Sequence, residues 1–204
     1  MIIAILLLLN PGPTWKRISS VNRHPALVLL LSLAPMLFAT CALEIWSLST
    51  FGTHVASLDQ TQRVPLTLAT RYGTTHFVLG IASCFLASLF VSNITRGIAI
   101  RTTFRQIFCT LTYAMCPVCL IQMADSWDFL NTWVVCGVAI LVVFMVLYSG
   151  VPQTIKPDPA KAFGLYLAAS VILGVCIGVT HLFSQLVLNE TLFKDGFGLG
   201  VLGY

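Results

Sequence analysis

Residues 163–188, FGLYLAASVILGVCIGVTHLFSQLVL, form an apolar stretch without a single Asp, Glu, Lys or Arg. A helix needs about 20 mostly apolar residues to cross the hydrocarbon core of a bilayer, and a water-soluble helix of this length would carry a polar face. Four comparable stretches precede it, at residues 25–48, 72–91, 104–123 and 132–148. The sequence therefore predicts an all-α fold, a polytopic transmembrane bundle of five helices.

The composition excludes a water-soluble protein. Hydrophobic residues make up 57% of the 204 residues, charged residues only 9%, and the mean hydropathy is +0.92. Soluble domains average about 25% charged residues. Because the apolar runs are continuous and do not alternate with polar residues, helices are indicated and a β-barrel is not. Few residues lie outside the five spans, so we expect one membrane domain over residues 1–204.

The Lys and Arg residues predict the orientation in the membrane. Eight fall in the segments before the first span, between the second and third, and between the fourth and fifth, whereas three fall on the opposite side. By the positive-inside rule the N-terminus is cytoplasmic and the C-terminus outside. No basic patch is large enough for nucleic acid. The two sets are Lys16, Arg17, Arg23, Arg96, Arg101, Arg105, Lys156 and Lys161, against Arg63, Arg71 and Lys194.

Residues 1–24 are expected to form a cytoplasmic or interfacial segment. Residues 1–9 resemble the core of a signal peptide, but no small-residue cleavage site follows them. The Asn10-Pro11-Gly12-Pro13 run breaks the helix instead, and Trp15 and two cations come next. Apolar residues followed by an aromatic residue and cations are typical of a segment in the headgroup layer.

The seven cysteines are interpreted as packing residues. All of them lie inside predicted spans, whereas disulfide scaffolds place cysteines in oxidising, water-exposed segments. Cys116-Pro117-Val118-Cys119 matches the C-x-x-C redox pattern, but it falls in mid-span, away from the helix N-terminus that would activate a thiol. The set is Cys41, Cys84, Cys109, Cys116, Cys119, Cys136 and Cys176.

Small and polar residues share one face of the fifth span and one face of the second. Gly174 and Gly178 form a G-x-x-x-G, which lets a second helix backbone approach closely in lipid. We expect helix packing within the protomer, with a homodimer seam as the alternative. The two faces comprise Ser170, Gly174, Gly178, His181 and Gln185, and His76, Gly80, Cys84 and Ser88.

Glu44, His76 and His181 are the candidate ligand or proton site. Ionisable side chains within membrane spans are rare and suggest function by default, and the assigned topology places all three near the outer leaflet, with Asp125 and Asp128 in the adjoining loop. The alternative is a structural network that satisfies buried polar groups. H-E-x-x-H, G-x-S-x-G and phosphate-loop motifs are missing. We therefore expect no catalytic residues, no bound metal and no cofactor, and hence no enzyme.

Prolines are expected to shape three helices. Pro35 would kink the first span and Pro117 the third, since proline removes a backbone hydrogen bond and clashes with the preceding turn. Gly150-Val151-Pro152 is expected to end the fourth span. Helix shape is thus the expected contribution of these positions.

The order of several short motifs resembles the Yip family of five-span membrane proteins, in particular its short bacterial inner-membrane branch. The resemblance covers nearly the whole chain and implies helix-shaping roles for Tyr113, Pro117, Gly150 and Pro152. The motifs are Asn10-Pro11 and Trp15, Ala34-Pro35 in the first span, Tyr113-Ala114-x-x-Pro117 in the third, and Tyr148-x-Gly150-Val151-Pro152 in the fourth.

The resemblance also implies a function. Eukaryotic members reside in endoplasmic reticulum and Golgi membranes and bind prenylated Rab-type GTPases, but they carry a long cytosolic N-terminal region. About two dozen residues precede the first span here, so Rab binding is not carried over. We expect a non-enzymatic protein of a bacterial inner membrane, or alternatively of the endoplasmic reticulum or Golgi, that acts through helix contacts with lipids, membrane partners or itself. The alternatives are a small transporter or ion- or metal-binding protein that uses the Glu/His cluster, and an accessory subunit of a larger membrane complex.

Overall fold

The computed structural model describes residues 2–21, 23–55, 60–62, 64–126 and 130–188. It confirms five helices that are long and apolar enough to cross a membrane. All of them run past the predicted stretches because hydropathy marks only the part of a helix that lies in hydrocarbon. The five are Pro25–Thr50, Leu66–Gly97, Phe104–Ser126, Thr132–Thr154 and Pro159–Leu188.

The described residues form eight α-helices, one π-helical segment, one 3-10 turn and one small hairpin. The hairpin pairs Thr53 with Gln62 in an antiparallel register and was not predicted. The elements are α1 (Ile2–Leu9), α2 (Pro11–Ser20), α3 (Pro25–Val28), a π-helical segment (Leu29–Leu33), α4 (Ala34–Thr50), β1 (Thr53–Val55), β2 (Gln60–Gln62), α5 (Leu66–Gly97), α6 (Phe104–Gln122) with a 3-10 turn (Met123–Ser126), α7 (Thr132–Thr154) and α8 (Pro159–Leu188).

Successive spans run in opposite directions and give the bundle two distinct ends. We call the end that carries α1 and α2 the proximal end; it also holds the starts of α6 and α8. The distal end holds the C-terminal ends of α4, α6 and α8 and the starts of α5 and α7. Helix α6 has the largest buried share of the five spans and therefore lies at the centre. Arg63, Asp128 and Lys194, which entered the predictions above, lie outside the described residues.

The N-terminal segment folds as two short helices packed on the bundle. Asn10 separates α1 from α2, and α2 begins at Pro11, whose missing N–H would be unpaired there in any case. Ala4, Leu7 and Trp15 are completely or almost completely buried, with α1 mainly against α6 and α2 against α7. Its position in the headgroup layer stays a prediction.

Two of the three prolines expected to shape helices, Pro35 and Pro117, lie within spans that continue past them. Immediately before Pro35 the first span widens to π geometry, with the Ala34 N–H bonded to the Leu29 carbonyl; because proline has no N–H, the regular pattern cannot continue there. Helix α6 continues through Pro117 to Gln122.

The prediction that Gly150-Val151-Pro152 ends the fourth span is wrong. Helix α7 runs on to Thr154, with Pro152 inside it. The ring removes one hydrogen bond in the final turn, and the Thr154 hydroxyl donates to the Gly150 carbonyl at 2.8 Å in the same turn. One proline this close to a helix end costs too little backbone bonding to stop the helix earlier.

Candidate functional site

Glu44 and His76 meet at the distal end. His76 Nδ1 lies 3.0 Å from Glu44 Oε2, and the two side chains are 2% and 4% exposed. The carboxylate comes from α4 and the imidazole from the antiparallel α5, which packs beside it. The sequence placed these residues at a common depth, and the structure joins them in a buried hydrogen bond.

Two glycines of α5 allow α4 to approach closely enough for this bond. A Cβ atom on Gly73 would lie 2.5 Å from Ile45 Cδ1, and one on Gly80 would lie 2.8 Å from Leu37 Cδ2. Gly73 and Gly80 stand about one turn before and one turn after His76, so they hold the helices together on both sides of the pair.

Cys41 completes a compact group with this pair. It lies one turn before Glu44 on α4 and is 4% exposed. One ligand atom each from Cys41, Glu44 and His76 can be chosen so that all three lie within 4.8 Å of one another. Interpreting every cysteine as a packing residue missed this. The signal in the sequence was the three-residue spacing of Cys41 and Glu44, which places them on one helix face.

His181 reaches the distal end but has a different neighbour. Its ring packs edge-on against Trp133, with the ring centroids 5.3 Å apart. The side chain is 3% exposed, and Nε2 has no hydrogen-bond partner among the residues that the structure describes. No hydrogen bond joins His181 to Glu44 or His76 in that part of the chain. The expected three-residue site is therefore a pair, with the His181 imidazole packed against Trp133 at the same end.

Hydroxyl groups form further side-chain hydrogen bonds near the distal end. The Thr132 hydroxyl donates to Asp125 across the turn between α6 and α7, and the Ser47 hydroxyl donates to the Ser126 carbonyl at 2.6 Å. Thr40 donates to the carbonyl of Cys119 at 3.1 Å and so joins α4 to α6. Asp125 thus has a local partner, and Asp128 lies outside the described residues.

A cavity of about 740 Å³ opens at the proximal end, between the N-terminal helices, the first span and α6. Arg17 and Arg23, both exposed, line it and define its cationic mouth. The rest of the lining is mostly apolar and ranges from Leu31, which is 68% exposed, to Met36, which is 2% exposed. Neither the hydropathy pattern nor the motifs predicted this cavity.

Trp15 anchors the N-terminal helices that form one wall of this cavity. Its indole Nε1 donates to the Val146 carbonyl at 3.0 Å. A Cβ atom on Gly150 would lie 2.7 Å from Trp15 Cε2, so only glycine leaves room for the ring at this position. Gly150, expected to shape α7, instead provides the surface on which α2 packs.

Tyr113 stands where the large cavity meets a smaller one. Its side chain lies beside Ser32 and Arg23 and lines both spaces, the second of about 220 Å³. In the smaller cavity Arg105 Nε donates to the Arg23 carbonyl at 3.4 Å. The residue that the family resemblance marked as helix-shaping therefore contacts the cationic mouth.

The small-residue face of α8 is only partly used within the protomer. A Cβ on Gly174 would lie 3.2 Å from Ile140 Cγ2 of α7, whereas one on Gly178 would meet no described heavy atom within 4 Å apart from its chain neighbours and its own helix backbone. Hydroxyl groups join α8 to α5, since Ser83 shares a hydrogen bond with Thr180 and donates to the Cys176 carbonyl. Gly178 therefore differs from the close-packing role expected of it.

Comparison with known proteins identifies one family. The Yip1 domain model matches residues 5–180, which include α2 to α7 completely and most of α1 and α8. No curated protein and no solved structure matches the chain.

Proposed function

The chain belongs to the Yip1 family, and from this premise we propose that it is a non-enzymatic integral membrane protein that binds an anionic phospholipid in its proximal cavity. Family membership and the five apolar helices establish the integral membrane protein. The lipid, the absence of a catalytic role and the partners that a bound lipid would recruit are the proposal.

The observation that carries it is the combination of two cations with a mostly apolar lining in one cavity. A phosphodiester headgroup is anionic and takes charge-assisted hydrogen bonds from guanidinium groups, which Arg17 and Arg23 supply. An acyl chain needs an apolar surface, which Leu31, Met36 and their neighbours supply along the cavity. A small phosphate compound would use only the mouth, whereas a lipid uses the whole cavity.

The charge at this end favours an anionic ligand. The sequence places eight Lys and Arg residues in the proximal segments, and Asp158 is the one acidic residue there. Polybasic segments beside a membrane gain about 1 kcal/mol per cation from anionic lipids of the cytoplasmic leaflet. This supports an orientation with the proximal end and the N-terminus in the cytoplasm and the C-terminus outside, in a bacterial inner membrane or alternatively in the endoplasmic reticulum or Golgi.

Contacts with other membrane proteins, or with a second copy, form the other half of the proposed function. Val175 and Val179 flank the open Gly178 on the exposed side of α8, 60% and 49% exposed. Such a surface packs equally well against lipid tails or against another span. A lipid in the cavity would change how α1 and α2 pack on the bundle. Partners that bind the proximal face would therefore bind the lipid-loaded and lipid-free forms differently.

Native mass spectrometry of the full-length protein in mild detergent tests the lipid site. The protein is titrated with phosphatidylglycerol, with phosphatidylcholine of the same acyl chains, and with glycerol phosphate. We expect one tightly retained phosphatidylglycerol per protomer, weaker phosphatidylcholine binding, and no retained glycerol phosphate. Arg17→Gln and Arg23→Gln should each weaken phosphatidylglycerol about tenfold or more, because each removes a charge-assisted hydrogen bond worth about 1.5–3 kcal/mol.

Arg96→Gln is the matched control, because Arg96 is an exposed proximal arginine that does not line the cavity. Equal losses in all three variants would mean that surface charge alone attracts the lipid, and the cavity would not be its site. Equal retention of phosphatidylglycerol and phosphatidylcholine would overturn the proposal. Retention of glycerol phosphate would replace the lipid with a soluble phosphate ligand.

A further inference from the structure

We infer that Cys41, Glu44 and His76 form a binding site for one divalent transition-metal ion of the zinc class. The site lies on the distal side of the lipid cavity, about one and a half helical turns beyond Met36 on the first span, and does not depend on the proposed function. Thiolate, imidazole and carboxylate are the three side-chain groups from which zinc sites are built. Two neighbouring helices bring one of each together in a buried position.

The spacing of the donor atoms suits such an ion. Zinc binds sulfur at about 2.3 Å and nitrogen or oxygen at about 2.0–2.2 Å, so neighbouring ligands of a tetrahedral ion stand roughly 3.5 Å apart. His76 Nδ1 and Glu44 Oε2 are already 3.0 Å apart, and the three donor atoms fall within 4.8 Å. Side-chain shifts of under about 1 Å would close the group around an ion. The hydrogen bond between the pair would then be replaced by two bonds to the metal.

The donor types exclude calcium and magnesium. Those ions require six or more oxygen ligands, and this group offers one carboxylate with a sulfur and a nitrogen. Mixed sulfur, nitrogen and oxygen donors suit zinc and its neighbours in the first transition row. Three protein ligands leave the fourth position open, as in zinc sites that bind water or a substrate.

His181 supplies an independent sign that the distal end holds a further group. Its imidazole is 3% exposed, and Nε2 lacks a hydrogen-bond partner within the described ranges. Buried polar atoms without partners are rare and call for a bound water or ion. A water or an ion bound at the distal end would give that nitrogen a partner.

Charge balance at this depth agrees with a dication. Ionised groups buried away from water must be paired or bind a metal. Binding expels to solvent the thiol proton and the proton that His76 Nδ1 and Glu44 share, because a metal-bound nitrogen carries no hydrogen. The resulting thiolate and the carboxylate together neutralise a 2+ ion, and His76 is a neutral ligand. A site of net charge zero can remain among apolar spans.

Metal titration of the full-length protein in mild detergent tests the site. The chelator-treated protein is titrated with Zn²⁺ by calorimetry and with Co²⁺ by absorption, because thiolate-bound Co²⁺ shows a charge-transfer band that oxygen and nitrogen ligands lack. We expect one ion per protomer, a rise in melting temperature with Zn²⁺, and the sulfur band with Co²⁺. Cys41→Ser should abolish the band and weaken binding at least tenfold, and Glu44→Gln should also weaken it at least tenfold.

Cys41→Ser leaves the Glu44–His76 hydrogen bond in place, so size-exclusion elution and metal-free melting should match the parent protein. Cys136→Ser, which removes a similarly buried distal thiol, is the matched control and should keep both band and stoichiometry. Failure of the parent protein to bind one equivalent, or a band that survives in Cys41→Ser, would indicate an adventitious ion only and overturn the inference. Neither result bears on lipid retention at the proximal end.

Discussion

The proximal and distal ends of the bundle treat their charged side chains in opposite ways. At the proximal end Arg17 and Arg23 remain exposed beside an open cavity. At the distal end Glu44 and His76 are sealed between two helices and pair with each other. An isolated charge is costly away from water, so a membrane protein must either give it access to water or provide a partner. The cavity arginines use the first solution, and the Glu44–His76 pair uses the second.

The two ends are also assembled differently. The distal end is built by consecutive helices, α4 and α5, whose close approach follows from Gly73 and Gly80. The proximal end depends on Trp15, which bonds to Val146 across a separation of 131 residues. We therefore expect proximal stability to depend on one large contact, and distal stability on several small ones.

The most severe test removes the proximal anchor. Trp15→Ala should lower the free energy of unfolding by about 3–5 kcal/mol, the usual cost of truncating a buried tryptophan, and should also release lipid from the cavity. Denaturant titration in mixed micelles measures the first effect. Trp46→Ala, at a tryptophan that is 57% exposed, is the control and should change stability little. Equal costs at both positions would mean that the proximal end has no single anchor.

The second test acts on the distal pair. Glu44→Gln keeps the size of the side chain but removes its charge, and should cost about 1–3 kcal/mol by weakening a buried hydrogen bond. The exposed Asp158→Asn should stay within about 0.5 kcal/mol, as surface substitutions do. The double variant of Glu44→Gln with His76→Ala should cost less than the sum of the single changes, because contacting residues couple. If the costs of the two single changes simply add in the double variant, Glu44 and His76 do not stabilise each other.

The sequence predicted the parts of both ends and missed how they meet. Hydropathy located five helices because each must satisfy its own backbone in lipid, and alternation of direction then placed Glu44, His76 and His181 at one end. It could not predict the rotation of α8, which turns His181 toward Trp133. Hydropathy also could not predict that Trp15, expected in a surface segment, packs on Gly150. The hydropathy pattern predicts each helix by itself, whereas the contacts between helices depend on the shapes of the side chains on their faces.

A third test examines the close approach that forms the distal pair. Gly73→Ala places a Cβ 2.5 Å from Ile45 Cδ1, and overpacking of this kind costs about 1–3 kcal/mol. It should also lengthen the bond between His76 and Glu44, since Gly73 lies one turn from His76. The Glu44→Gln substitution should therefore cost less in a Gly73→Ala background. An undiminished cost there would show that the pair forms without the glycine contact.

The smallest effect is expected at Gly178, and it decides whether α8 has a seam of its own. Because the added Cβ would meet no described heavy atom within 4 Å apart from its chain neighbours and its own helix backbone, Gly178→Ala should shift the free energy of unfolding by less than about 1 kcal/mol, the difference in helix propensity between the two residues. Gly73→Ala serves as the matched comparison, since it is the same substitution in the neighbouring helix α5. If the protein is monomeric, the elution volume of Gly178→Ala in mild detergent should not change. A shift from dimer to monomer at unchanged protomer stability would instead place a second copy on this face of α8, and the bundle would then have a third functional region besides its two ends.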